Sequence, residues 1–321
     1  MQKIIGLFLI ACIAGIVGYA FSHRPPVLLP ATEESLRIAL IEDAQKAGDR
    51  LIAVGDAGRI FYSDDAGKTW QFVASPTKAT LTRLRMFNDK IGIAVGHDAV
   101  ILKTEDAGLT WVEKYSAPDD EAPLMDVVFL DEQNLIAVGA YHQYLVSTDA
   151  GNTWERQSIS QDDKHLNSIV RLNETTLLLV GESGTAKVSS DNGEKWVAVA
   201  SPYGGSYFGI VPVNETTAVL FGMRGHVMRY TVGAKTLEPV EMQGTASLFA
   251  GRMIDKQVVL AGQEGTVWVS GDEGKTFTKK STPGNLLHMA ILPVSKTKWL
   301  ALGERGAVEM TAVVAEGGAR E

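Results

Sequence analysis

Cysteine is nearly missing from this chain: Cys12 is the single one among 321 residues. No intramolecular disulfide can form, which is neutral about compartment, because oxidising spaces permit disulfides without requiring them. A basic excess is missing too. Thirty Lys and Arg against 38 Asp and Glu leave a formal net charge of −8. Sequence-independent nucleic-acid binding rests on cationic contacts to phosphate, so it is not expected of this body. The net charge says little about other partners, since only the local patch matters. Also lacking are a Gly-x-Ser-x-Gly elbow, a His-x-x-x-His pair, a phosphate loop and any helix-period segment long enough for a second domain. The phrase "GESGTAK" (181–187) lies between two strands, not before a helix. What is there is an ordinary globular mixture, 45% hydrophobic and 21% charged, long enough for a large core.

The first stretch, "MQKIIGLFLIACIAGIVGYAFSHRPP", is uncharged from Ile4 to Phe21. As a helix those residues would span roughly 27 Å, close to the ~30 Å hydrocarbon core of a bilayer. Position ahead of a Pro-Pro break and a repeat body points to a signal peptide or an uncleaved signal anchor over 1–22. Either places the body outside the cytoplasm, in a periplasm or similar space, with anchoring in an inner membrane as one form. "LIAC" (9–12) resembles a lipoprotein box, but the chain stays apolar after Cys12, where a lipidated protein normally turns polar.

The body repeats itself. "SDDAGKTW" (63–70) returns as "TEDAGLTW" (104–111), "STDAGNTW" (147–154), "SSDNGEKW" (189–196) and "SGDEGKTF" (270–277). Each copy follows an apolar run closed by a glycine, and that phrase recurs at Gly55, Gly96, Gly139, Gly181, Gly222, Gly262 and Gly303. The intervals are 41, 43, 42, 41, 40 and 41 residues, so there are seven units. Units five and seven keep the glycine phrase but lose the later motif, with Val232 and Val313 where an Asp belongs.

Within a unit, alternation and turn residues read as four short antiparallel strands. Such a sheet cannot hide both faces alone; stacking neighbours around an axis does. The fold expected is all-β, a seven-bladed β-propeller with four-stranded antiparallel blades over 35–314, preceded by the N-terminal signal or anchor helix. A linker (23–34) and a tail (315–321) flank it. Only 18 residues follow Gly303, too few for a full last blade, so "VLL" (27–29) is expected to supply its outer strand and close the ring.

The motif falls on the hairpin between third and fourth strands. Its carboxylates (Asp65, Asp106, Asp149, Asp191, Asp272) suit backbone donors of their own turn. Its glycines (Gly67, Gly108, Gly151, Gly193, Gly274) suit a positive φ. Its rings (Trp70, Trp111, Trp154, Trp196, Phe277) suit packing between blades. These residues are read as structural.

The pattern Ser/Thr-x-Asp-x-Gly-x-Thr-Trp resembles the Asp-box, or BNR repeat, of sialidases and other propellers. The longer unit, clearest in "LMDVVFLDEQNLIAVG" (124–139), is similar to the photosystem II stability/assembly factor family, and the likeness covers nearly everything from Ser35 onward. The resemblance implies a non-enzymatic, extracytoplasmic propeller that helps an integral membrane complex assemble, with a protein partner and no cofactor. A structural accessory subunit of an envelope transporter is an alternative. So is a sialidase-like glycoside hydrolase, although "LRIAL" (36–40) lacks the proline of the usual arginine phrase and Asp119, Asp120 and Glu121 show no pairing signal.

In a four-stranded meander the motif turns share one rim, and the second-to-third-strand turns share the other with the links between blades. Variable loops on that second rim are the better binding candidates. Arg37, Arg59, Arg83, Arg85, Arg224 and Arg305 are the partner-binding candidates there, suited to a carboxylate. Arg37 takes its place at the start of an innermost strand if "QKAGD" (45–49) is an insertion in the first turn. His97, His142 and His226 lie in different blades, too far apart to share a metal, so no metal is expected.

Overall fold

The computed structural model describes residues 35–311, apart from 121, 161, 283, 296 and 297. Seven antiparallel sheets follow one another along the chain. Blade one holds β1 (Ile41–Ala47), β2 (Arg50–Gly55), β3 (Ile60–Ser63) and β4 (Gln71–Val73). Blade two holds β5 (Leu81–Met86), β6 (Gly92–Gly96), β7 (Ile101–Thr104) and β8 (Val112–Tyr115). Blade three holds β9 (Leu124–Phe129), β10 (Leu135–Gly139), β11 (Tyr144–Ser147) and β12 (Glu155–Arg156). Blade four holds β13 (Leu166–Arg171), β14 (Leu177–Gly181), β15 (Ala186–Ser189) and β16 (Val197–Ala198). Blade five holds β17 (Tyr207–Asn214), β18 (Thr217–Gly222), β19 (Val227–Thr231) and β20 (Glu238–Val240). Blade six holds β21 (Leu248–Ile254), β22 (Gln257–Gly262), β23 (Thr266–Ser270) and β24 (Thr278–Ser281). Blade seven holds β25 (His288–Ser295), β26 (Lys298–Gly303) and β27 (Gly306–Thr311).

The first strands pack side by side in sequence, and β25 packs against β1, so they form a closed inner ring. This is the expected seven-bladed propeller. Blade seven has three strands among the described residues. The expected closing strand at 27–29, the signal or anchor helix and the tail lie outside the described residues, and no helix among the described residues is long and apolar enough to cross a membrane.

The seven marker glycines have a steric reason. Their φ is extended, which any residue adopts, but the chain entering the first strand crosses directly over them. A Cβ on Gly55 would stand 2.0 Å from the Leu40 carbonyl oxygen, and one on Gly139 would stand 2.3 Å from that of Pro123. The same oxygens accept from the next amide, Asp56 N at 3.0 Å and Ala140 N at 2.9 Å. The close approach therefore secures a buried hydrogen bond in each blade.

The core is not one body but seven apolar layers, each between adjacent blades. The layer between blades seven and one joins Ile41, Leu51 and Phe61 to Leu292, Leu300 and Leu302. Burial of both faces of every sheet explains why second strands such as "LIAVG" are apolar throughout.

One sequence expectation is corrected. There is no insertion in the first hairpin: "QKA" continues β1, and Gly48 at φ 62° turns the chain with Asp49. Asp43 pairs with Val54 as Arg83 pairs with Val95 and Asp126 with Val138. Asp43, not Arg37, is thus the inner-strand residue of blade one. Arg37 is exposed in a 3-10 turn, Leu36–Ile38, ahead of the strand.

Candidate functional site

The motif turns are self-contained. In blade one, Asp65 Oδ1 accepts from Thr69 N at 2.9 Å, and its Oδ2 from the Thr69 hydroxyl at 2.7 Å. Ser63 Oγ donates to Asp65 Oδ1 at 2.8 Å and accepts from Gly67 N at 2.8 Å. Trp70 Nε1 donates to the Gly67 carbonyl at 3.1 Å. The carboxylate bonds recur around Asp106, Asp149 and Asp272, and in reduced form around Asp191, where Lys195 replaces the threonine; the indole bond recurs at Trp111 and Trp154. Backbone and hydroxyl donors of Thr69 and Thr153 hold Asp65 and Asp149 down at about 2. Burial opposes ionisation of Asp106 and Asp272, but their turn donors outweigh it and both stay lowered.

Each motif glycine has φ between 76° and 94° and rests on the preceding blade. A Cβ on Gly108 would meet Ile52 of β2, and one on Gly274 would meet Val219 of β18. A Cβ on Gly67 would meet Leu300 of β26, which carries the pattern across the ring closure. Trp111 is buried between blades one and two with Ile52 and Leu102, while Trp154, Trp196 and Phe277 pack at the next seams that carry the motif. The motif carboxylates and their Ser or Thr partners are thus occupied within their own turns, while the buried Trp196 Nε1 has no hydrogen-bond partner among the described residues.

The arginines divide into two sets. Arg59 pairs with Asp56 at 3.0 Å on the second-to-third-strand turn of blade one. Arg224 and Arg305 are exposed on the corresponding turns of blades five and seven, and Arg37 is exposed beside blade one. The same rim exposes Ile38, Tyr141 and Met223. Arg83 and Arg85, by contrast, turn into the ring axis.

There they meet buried carboxylates. Arg85 Nη1 lies 3.2 Å from Asp43 Oδ2, and its Nη2 lies 2.9 Å from Asp126 Oδ1. Asp43 also accepts from Ala44 N and from Leu84 N of the next blade, at 2.8 and 3.0 Å. Asp126 accepts from Ser168 Oγ at 2.8 Å and Ile169 N at 3.2 Å, both in blade four. From the far wall Arg252 donates to the Ala44 carbonyl at 3.1 Å and to Gln45 Oε1 at 2.8 Å. Burial opposes the charge on Arg83, yet Asp126, Asp43 and Glu42 together raise its pKa. Burial lowers that of Arg252. This cross-linked layer plugs the axis.

Above the plug, on the rim away from the motif turns, the second residue of every inner strand faces one shallow pocket of about 300 Å³. These residues are Glu42, Thr82, Met125, Asn167, Phe208, Phe249 and Met289. Phe208 and Phe249 stack with centroids 5.1 Å apart. Arg83 lies in the lining of both this mouth and the space beneath it. Burial, opposed by Arg83 and aided by Asp56 and Asp43, pushes Glu42 up to about 7.

His142 lies between Asp162 and Ser160, both 3.0 Å away, with Lys187 Nζ 3.0 Å from Ser160 Oγ. This cluster fastens the link between blades three and four. Among the described residues no group of histidines, cysteines and carboxylates could hold a metal ion. The sequence reading missed Asp43, Arg252 and Glu42. Asp43 was hidden by the wrong first-turn register, and Arg252 was hidden because its partners are 207 and 208 residues away.

Comparison with known proteins agrees with this architecture. Residues 70–164 match the family described as photosynthesis system II assembly factor YCF48, and residues 61–72 match the BNR/Asp-box repeat. A Bacillus subtilis (strain 168) protein, YkuO, described as uncharacterized, is 28% identical over 125 residues, covering 37% of this chain and 40% of its own length. The chain thus aligns with well under two thirds of that curated relative. Among solved structures, "YCF48 bound to D1 peptide" superposes with a TM-score of 0.68 at 16% identity, covering 89% of this chain and 98% of that one. YCF48 from Cyanidioschyzon merolae gives 0.67 at 17%, covering 86% and 96%. The GH74 enzyme of Niastella koreensis gives 0.68 at 13%, covering 84% and 52%, so the same fold also carries catalysis elsewhere. The chain described here is a seven-bladed β-propeller with BNR repeats, and its residues 70–164 match the photosystem II assembly-factor family model.

Proposed function

We propose that this propeller is a non-catalytic protein-binding factor for the assembly or stability of a membrane protein complex, working outside the cytoplasm. The observation that carries the reading is the assembly-factor match over residues 70–164. The geometry is in keeping with it. Asp43 and Asp126 are each committed to ion pairs and backbone donors, so neither is poised as an acid or base. The rim away from the motif turns offers exposed Arg37, Arg224 and Arg305 beside Ile38, Tyr141 and Met223, a mixture suited to an acidic segment with apolar side chains. The uncharged run from Ile4 to Phe21 supports an extracytoplasmic, membrane-proximal body.

The test is affinity capture from detergent-solubilised membranes of the source cells, comparing the wild type with an Arg224→Glu/Arg305→Glu double variant. An integral membrane complex recovered by the first and depleted at least tenfold by the second is expected. Capture of cytoplasmic proteins alone, or equal recovery by both, overturns the reading. Purified protein is also expected to release no sugar from sialyl or aryl-glycoside substrates, and turnover abolished by a carboxylate change at this rim would restore the hydrolase alternative.

A further inference from the structure

The axial mouth is a pocket in its own right, and its polar inventory is lopsided. Thr82 Oγ1 is spent on the Val95 and Leu124 carbonyls, at 3.2 and 2.6 Å, and Asn167 Nδ2 on the Tyr207 carbonyl at 2.8 Å. Glu182 Oε1 is spent on His165 N at 3.0 Å. The Glu42 carboxylate and the Ser206 hydroxyl make no hydrogen bond to the described residues, and among these unspent groups the cation is Arg83. It makes no hydrogen bond to the described residues: its buried Nε is left without one, and the nearest carboxylate oxygen, on Asp126, is 3.6 Å away. Its neighbour Arg85 takes the short contacts to Asp126 and Asp43 instead. The guanidinium of Arg83 is therefore held at the pocket floor with donors to spare. The opposite wall is apolar, made by the stacked pair Phe208 and Phe249 with Met289 and Met125.

We propose that the mouth binds a small monocarboxylate with an apolar body, the carboxylate on the Arg83 guanidinium and the body against Phe208, Phe249 and Met289. A largely apolar concavity with one convergent charged donor is the usual make-up of a small-molecule site. A guanidinium meets a carboxylate through paired, charge-assisted hydrogen bonds. The volume of about 300 Å³ restricts the ligand to a small acid. This site is separate from capture of a protein by the exposed rim, and it stands whether or not that capture occurs.

Glu42 gives the site a pH dependence. The charged or titratable groups around it are Asp43 on its own strand, Asp56, Arg83, and His165 and Glu182 across the mouth. Ionised, Glu42 attracts Arg83 and repels an incoming carboxylate; protonated, it does neither. Affinity for the acid therefore rises as pH falls below about 7.

The experiment is calorimetric titration of the purified protein with 3-phenylpropanoate and, as the control lacking the charge, 3-phenylpropanol. The acid is expected to bind at least tenfold more tightly than the alcohol, and more tightly at pH 6 than at pH 8. Arg83→Leu should lose at least tenfold. Glu42→Gln should flatten the pH dependence and tighten binding at pH 8. Phe249→Ala, which leaves the ion pairs intact, serves if the Arg83 variant does not fold, and it should weaken binding of the acid severalfold. No heat of binding at millimolar acid, equal affinity for acid and alcohol, or unchanged binding by Phe249→Ala overturns the proposal.

Discussion

Arg85 of blade two donates to Asp126 of blade three at 2.9 Å, and the accepting carboxylate is fully buried. The same guanidinium holds Asp43 of blade one, so one side chain ties three consecutive blades at the axis. Breaking one side of a buried pair strands the other charge. Asp126→Asn is expected to cost about 3 kcal/mol in chemical denaturation. An Asp126→Leu/Arg85→Leu double variant is expected to lose less than the two single changes summed.

Asp106→Ala should destabilise by about 1–2 kcal/mol, because the backbone and hydroxyl donors of its turn lose their acceptor. Partner capture per folded molecule should stay unchanged, and loss of capture at an unchanged melting temperature would assign the motif a binding role. Asp65 and Asp149 have folded-state pKa values lowered to about 2 from 3.8. Their stabilisation is present above the unfolded value and is lost as pH falls through the folded one. Acid unfolding monitored by tryptophan fluorescence should therefore steepen between pH 4 and pH 2.

Glu42 works in the opposite sense. Its folded pKa is raised from 4.5 to about 7, so the folded state holds a proton that the unfolded state releases. Stability from this group declines as pH rises from 4.5 to about 7 and is level above that. Glu42→Gln should remove the decline and stabilise the protein at pH 8 by about 2 kcal/mol. Melting curves at pH 5 and pH 8 for both proteins provide the check, and an identical pH response would contradict the assignment.

Two glycines separate close approach from mere flexibility. Gly139→Ala drives a Cβ into the Pro123 carbonyl and should cost about 3 kcal/mol. Gly204 is exposed, and a Cβ there would meet nothing within 4 Å, so Gly204→Ala should stay within about 0.5 kcal/mol. Denaturant midpoints measured side by side decide it.

The third strand of blade seven, β27, has no fourth-strand partner among the described residues. Leu36 lies directly beside it: a Cβ on Gly306 would stand 2.8 Å from the Leu36 carbonyl oxygen. The described chain therefore begins, at Ser35 and Leu36, next to the blade whose last strand has no outer partner among the described residues. A protein starting at Ser35 should melt several degrees below one starting at His23, and equal melting temperatures would mean that 27–29 plays no part in closure.

The fold was legible because its determinants are local and periodic. A glycine at each crossing, an apolar second strand and a turn that satisfies itself all lie within one repeat of about 41 residues. The axis was not, because its chemistry is assembled from residues one per blade. Asp43 reaches Arg85 over 42 residues, and Arg252 reaches Gln45 over 207. No spacing within a repeat carries such pairs, and each arginine alone looks like a surface charge. Arg83 and Arg224 illustrate the difference: one is drawn inward by neighbouring carboxylates, the other is exposed at a turn.

The way each motif turn leans on the blade before it gives the ring a direction, and the direction has gaps. Blades one, two, three, four and six each set a turn on their predecessor, while five and seven have no such turn among the described residues. Blade five compensates: Leu237 N and Ala200 N exchange bonds with carbonyls across its seam with blade four, at 2.8 and 2.9 Å. Blade seven meets blade six through apolar packing around Trp299 and Ile291. A closed ring cannot loosen at one joint without becoming an open strip, so each seam is held in part by all the others. Seen mechanically, the propeller is a belt whose links are fastened in different ways: by a leaning turn where the motif stands, by paired backbone bonds at blade five, and by apolar packing between blades six and seven.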